Sequence, residues 1–411
     1  MSLKSFRSYQ KQVLPFREFV TLMALSMSLV ALSIDSMLPA LDSIGQSLGV
    51  ENKNDQQLII GFLFIGMAFG QLLFGPLSDS IGRRRSMLIG YLIFLIGSVM
   101  SIMANDINYM LFSRFLQGFG VAAPRVLSTA IIRDQYAGRE MAKVMSFVLM
   151  MFILVPMLAP MFGQLILNLF NWQSIFIAVM LVAIISLCWY LLRQGETLAL
   201  ENRADFTVKR TRDALSTIFK NRRATGFSVT AGIVSAPFVF YLSSSQQLFQ
   251  ISYELAEWFP LFFAGLSLAF GCSSFVSGKF VMTLGMQKLV TAALKLLALI
   301  SSLFVVVLVF FNGFPPLWIT SIYLFFCFFC LGILFGNLNA LAMEPLGHLA
   351  GIGAAIVGSL GTFISATLAV LIGLQFDGTV YPLTISFAIA SLVSLILIGW
   401  IDKEKTCAVA A

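Results

Sequence analysis

Twelve apolar runs of about 18–26 residues, separated by mostly short polar turns, leave this chain few folds to choose from. They fall at roughly 18–41, 57–77, 86–104, 109–132, 143–167, 173–193, 224–249, 257–278, 288–311, 316–341, 351–374 and 379–401. A helix of that length crosses a hydrocarbon layer of about 30 Å with some tilt. Unpaired backbone groups cannot face lipid, so each run is expected to be helical. With 59% hydrophobic and only 11% charged residues, the chain lacks the balance of a water-soluble domain. The expectation is an all-α membrane protein with twelve transmembrane helices.

Orientation follows from where lysine and arginine fall. The start of the chain holds Lys4, Arg7, Lys11 and Arg17. The loop after the second run holds Arg83, Arg84 and Arg85, and the loop after the fourth holds Arg133, Arg139 and Lys143. The stretch after the sixth adds Arg193, Arg203, Lys209, Arg210, Arg212, Lys220, Arg222 and Arg223. On the other side Lys53 stands alone among Asp42, Glu51, Asp55, Asp106, Glu254, Glu257 and Asp377. Both termini are therefore expected in the cytoplasm. The first run is long enough to span, and no cleavable leader is evident. The basic residues flank spans and form no patch, which excludes a nucleic-acid partner. Lipid bilayer and a small molecule are the expected partners, and the chain is expected to be a monomer.

The polar stretch 195–222 separates six runs from six, giving an N-terminal bundle (1–194), a cytoplasmic linker, and a C-terminal bundle (223–411). The halves echo each other. Gly278 and Gly285 repeat the seven-residue separation of Gly75 and Gly82, with Lys279 and Lys288 nearby, while Met282 takes the place of Asp79. Two pseudo-symmetric six-helix halves suit a transporter with its site near the midplane, and do not suit a receptor or a membrane enzyme. Metal chemistry has little to stand on. Cys327 and Cys330 have ligand-like spacing but lie in an apolar run, and His348 is the single histidine.

Ionisable residues inside spans are costly and mark function by default. Asp35, Arg114, Arg125 and Lys295 qualify; Lys295 is near enough to an end to snorkel. Asp35 is the only acid deep in a run, and Pro39, four residues on, cannot donate a helical hydrogen bond to its carbonyl. A carboxyl that alternates between apolar surroundings and a nearby cation can load and release a proton. Arg114, about five residues into the fourth run, lies at the depth of Asp35 and is the expected partner. Arg125 is eleven residues further, roughly 16 Å deeper on nearly the same helical face. It suits either an anionic or hydrogen-bond-accepting cargo, or a gate in which it holds backbone carbonyls.

The turn Gly75-Pro-Leu-Ser-Asp79-Ser-Ile-Gly82-Arg83-Arg84-Arg85 resembles the signature loop of the major facilitator superfamily, with Ser80 where an arginine or lysine is usual. Ala31-Leu-Ser-Ile-Asp35-Ser-Met-Leu-Pro39-Ala-Leu resembles the first span of its bicyclomycin-resistance (Bcr/CflA) drug:proton antiporters. Arg114-Phe-Leu-Gln117-Gly118-Phe-Gly120 is similar to the superfamily's fourth-span motif, and Ala159-Pro160-Met-Phe-Gly163 to the fifth-span antiporter motif. Segments 339–351 and 377–379 resemble that group's marks around spans ten to twelve. Gln164 and Ala159 stand where the antiporter motif has glycines, and Thr129 where the subgroup has an arginine.

The resemblance implies a proton-coupled exporter of drugs or metabolites in a bacterial inner membrane, working by alternating access without cofactor or chemical catalysis. Asp35 would carry the proton and Arg114 tune it. Gly75, Asp79, Gly82 and Arg83 to Arg85 would latch the cytoplasmic face, while Gly118, Pro160 and Gly163 would permit helix packing and bending. Arg125, Tyr241, Gln246, Gln247, Asn337 and Asn339 are candidates for the cavity lining. The alternative keeps the fold and moves an anionic metabolite, such as a carboxylate siderophore, in either direction.

Overall fold

A computed structural model describes residues 14–204, 207–255 and 258–409. Among these residues the chain forms fourteen α-helices joined by short turns, and no strand. The first half comprises α1 (Phe16–Asp35), α2 (Leu41–Ser47), α3 (Leu58–Ile81), α4 (Arg83–Ile102), α5 (Ile107–Gln135), α6 (Gly138–Leu169) and α7 (Gln173–Arg193). After α8 (Val208–Lys220) come α9 (Arg222–Ser245), α10 (Phe259–Leu284), α11 (Met286–Phe310), α12 (Leu317–Met343), α13 (Ala350–Gly373) and α14 (Tyr381–Val409). Eleven segments are long and apolar enough to cross a membrane. The remaining run lies in α6, a 32-residue helix whose Leu154–Leu169 stretch is apolar.

Local chemistry sets the boundaries. Asp106 caps α5 by accepting from the Tyr109 N–H at 2.9 Å, and Asn221 caps α9 from Ala224 at the same distance. Three departures from the expected runs matter. The first run is broken: α1 stops at Asp35, a 3₁₀ turn covers Leu38–Ala40, and α2 follows. Proline at 39 fits the turn and cannot continue the α-helical ladder. The seventh run ends α-helically at Ser245 and winds on through Gln246–Ser252 as a π-helix, a form concentrated at functional sites. The polar stretch between the halves is partly helical: α8 buries Ala214 and Ile218 and packs on α9 and α13.

Within the first bundle α3 and α4 both lie against α5, and α1 packs on α5, α6 and α7. The α3–α5 approach is close because a side chain at Gly118 would strike the Leu63 carbonyl. Two seams join the bundles, α3 along α13 and α6 along α10. On the first seam Ser359 donates to the Ala68 carbonyl at 2.8 Å and Gln71 to Thr362 at 3.4 Å. At the end opposite the arginine turn, Gln57 donates to Gln247 at 2.8 Å, Gln247 to the Lys53 carbonyl at 2.5 Å, and Asn54 to the Phe376 carbonyl at 2.8 Å. These bonds tie the two bundles together at that face.

Candidate functional site

The break after α1 is where the interior charges gather. Ending a helix leaves the carbonyls of its last turn without intrahelical donors. Arg114, fully buried on α5, meets that need: its Nη2 donates to the Ser33 carbonyl at 2.8 Å. Its Nε reaches the Ile59 carbonyl of α3 at 3.3 Å, and its Nη1 the Gln117 Oε1 at 2.5 Å. Gln117 donates in turn to Ser98 at 2.8 Å, and the Phe176 ring lies 5.5 Å from the guanidinium carbon. Gly163 of α6 completes the setting, because any side chain there would strike the Ser36 carbonyl. Pro160 is buried one turn earlier in α6, which runs on through it.

The depth match between Arg114 and the first span holds, but the expected ion pair does not form. Arg114 takes the backbone two residues before Asp35, and its donors are turned to oxygens on α1, α3 and α5. Two residues on a helix differ by about 200° in direction, so the guanidinium that caps Ser33 is not where the Asp35 side chain points. Asp35 is 4% exposed, and its side chain makes no hydrogen bond or ion pair with any described residue. Across the bundle interface, α9 carries the Tyr241 hydroxyl. That hydroxyl is itself buried without a partner, while the ring packs on Phe263 and Phe328.

The other interior candidates part company. Arg125 is half-buried on α5, with Nη1 3.4 Å from the Met67 sulfur. Lys295 is exposed. Gln247 belongs to the inter-bundle ties described above, and the Oε1 of its buried neighbour Gln246 has no partner. Asn337 is bound to Ser277 at 2.9 Å and to the Ile333 carbonyl at 2.7 Å, so α10 and its own helix hold it. Asn339 is exposed and bonded back to Phe335.

The turn at 75–85 is tied down on its own side. Gly82 takes φ 97°, which ends α3 and starts α4. Arg83, nearly buried, donates Nη1 to Asp79 at 2.5 Å and to Ser78 at 2.6 Å, and Nε to Asp134 at the end of α5 at 3.0 Å. Glu196, just past α7, accepts from the backbone N–H groups of Arg83 at 2.9 Å and Arg84 at 3.1 Å, an acidic cap on the α4 N-terminus. Arg203 lies 3.7 Å from Glu196, and the Ala204 N–H donates to the Asp79 carbonyl at 3.0 Å. Arg84 also reaches the Leu191 carbonyl at 2.6 Å, while Arg85 is exposed. Gly75 lies where a side chain would press on Ala355 of α13.

Sequence reasoning missed Asp134 and Glu196, which ordinary loop composition hides; only their acidic character beside a basic turn hinted at pairing. Gln57 and Met67 were equally invisible, since each contacts a residue far away in the chain.

The arrangement matches a known family. The sequence profile of the Major Facilitator Superfamily matches residues 23–370. The uncharacterized MFS-type transporter YdgK of Bacillus subtilis is 30% identical, over 91% of this chain and 92% of its own. The bicyclomycin resistance protein homolog of Haemophilus influenzae is 27% identical, over 92% of this chain and 94% of its own, which bears out the resemblance to that group. The partially occluded, inward-open xylose transporter XylE of E. coli superposes with a TM-score of 0.69 over 94% of this chain and 97% of its own; at 14% identity it speaks for the fold alone. On that match across most of its length, the chain belongs to the Major Facilitator Superfamily.

Proposed function

We propose that this protein exports small molecules across a bacterial inner membrane in exchange for protons, with Asp35 carrying the proton. On this reading α6 completes a set of twelve spans, the arginine turn and both termini lie in the cytoplasm, and the proton gradient supplies the energy in place of any cofactor. Alternating access of an interior site to the two faces is the working mode of the fold. Drugs are the favoured cargo class, on the name of the Haemophilus relative and the matching motifs.

The observation that carries the reading is an acid inside the protein with no counter-charge among the described residues. An ionised carboxylate left alone in low dielectric is expensive, so the group is stable there either with its proton or with a cargo that replaces it. Proton and cargo then compete for one position, which is the thermodynamic content of exchange. Arg114 serves a different purpose from the one expected of it: it fixes the broken end of α1 and thereby the backbone that aims Asp35.

Everted vesicles test this directly. Asp35→Asn should abolish accumulation driven by an imposed pH gradient, while gradient-free exchange of labelled cargo persists. Full gradient-driven accumulation in the variant would sink Asp35 as the carrier.

A further inference from the structure

Like Asp35, Arg125 has no counter-ion among the described residues. It lies mid-way along α5 and is only half-buried, so part of its side chain is left uncovered by the described residues. Its one hydrogen-bonding contact with a described residue is the Met67 sulfur at 3.4 Å, a weak acceptor. The other two inward-facing arginines differ sharply. Arg114 reaches three oxygens, and Arg83 reaches two carboxylates and a hydroxyl. A guanidinium presents five N–H donors in a planar fork that fits a carboxylate side-on. Arg125 therefore keeps most of that fork free in a place where unmatched donors are costly.

The interior thus holds one acid and one base that do not satisfy each other. Arg114 touches the backbone at the level of Asp35, and Arg125 is eleven residues further along the same helix, about 16 Å at 1.5 Å per residue. Two unpaired charges of opposite sign at separate depths describe a template for a molecule with complementary ends.

We propose that the cargo is a zwitterionic amphiphile, bound with its ammonium end at Asp35 and its carboxylate on the Arg125 fork. This rests on the exchange reading above and adds the substrate class to it. The ammonium displaces the proton from Asp35, so exchange is preserved. The carboxylate adds recognition without adding net charge, and a cycle that moves a neutral zwitterion out against one proton in carries one positive charge inward. An ester of the same molecule keeps the ammonium end and loses the group that Arg125 takes.

The test uses proteoliposomes, ciprofloxacin and its ethyl ester as matched probes, and kcat/KM for gradient-driven transport as the readout. Wild type should favour the acid over the ester by about 10- to 100-fold, the scale of a charged hydrogen-bonding group recognised or missed. Arg125→Gln should bring that ratio toward one, and Arg125→Lys should restore part of it, with melting in detergent confirming that both variants fold. Equal transport of acid and ester by wild type, or a ratio that Arg125→Gln leaves untouched, overturns the inference while proton exchange stands. If the gradient drives neither probe nor uncharged chloramphenicol, the exchange reading falls with it.

Discussion

The turn at Gly82 and its repeat at Gly285 have the same backbone and different surroundings. Gly82 adopts φ 97° and ψ 157°, Gly285 φ 79° and ψ 154°, and each ends one membrane-length helix and begins the next. Around the first, Arg83 is held by Asp79 and Asp134, and Glu196 caps the following helix. Around the second, Met282 and Met286 occupy the places of Asp79 and Arg83, and Met282 is 88% exposed. Among the described residues a polar bond links Gln287 to Asp402 of α14. A side chain at Gly75 would press on Ala355 of the opposite bundle, whereas one at its counterpart Gly278 would meet no described atom within 4 Å. Glycine alone therefore preserves the shape of the turn, and the charges serve another end. They bind the α3–α4 turn to the end of α5 and to the start of the inter-bundle segment, which lets one face of the first bundle move as a unit.

Breaking the first turn should have the largest effect. Arg83→Ala strands two nearby carboxylates, and losing one partner of a near-buried pair costs about 3 kcal/mol. A lower melting temperature in detergent and slowed turnover are expected; unchanged melting would show that the ion cluster is ornamental. A smaller loss, about 1 kcal/mol, is expected from Glu196→Gln, which weakens the cap on α4 and frees the segment that follows α7. Faster backbone hydrogen exchange at 83–85, with little change at 286–288, would locate that loss; uniform change in both turns would contradict it. Building the missing pair into the repeat as Met282→Asp with Met286→Arg should do least. An exposed i,i+4 pair contributes about 0.5 kcal/mol or less. A gain well above that in detergent melting would mean that the second turn was lacking only its charges.

How much of this was legible beforehand depends on distance along the chain. Asp79 and Arg83 are four apart on one turn, and their pairing follows from spacing. Asp134 and Glu196 join the same cluster from 51 and 113 residues away, and no local pattern announces them. Depth arithmetic rightly brought Arg114 to the level of Asp35, but depth does not fix azimuth. Residues 33 and 35 point to different sides, and the guanidinium chose the carbonyl. Among the cavity candidates, Gln247 and Asn337 were chosen for polarity inside a span, which says nothing about whether a neighbour already satisfies it.

The sequence by itself determined the helical membrane class, the two halves and the identity of the costly interior charges, because burying backbone or charge in lipid is penalised wherever it occurs. Only the tertiary structure decided which charges remain unpaired. Arg114 found oxygens where a helix breaks, Arg83 found carboxylates where three elements meet, and the side chains of Asp35 and Arg125 found neither among the described residues. That outcome depends on which side of each helix faces which neighbour, and a residue's own neighbours in sequence carry almost none of that information.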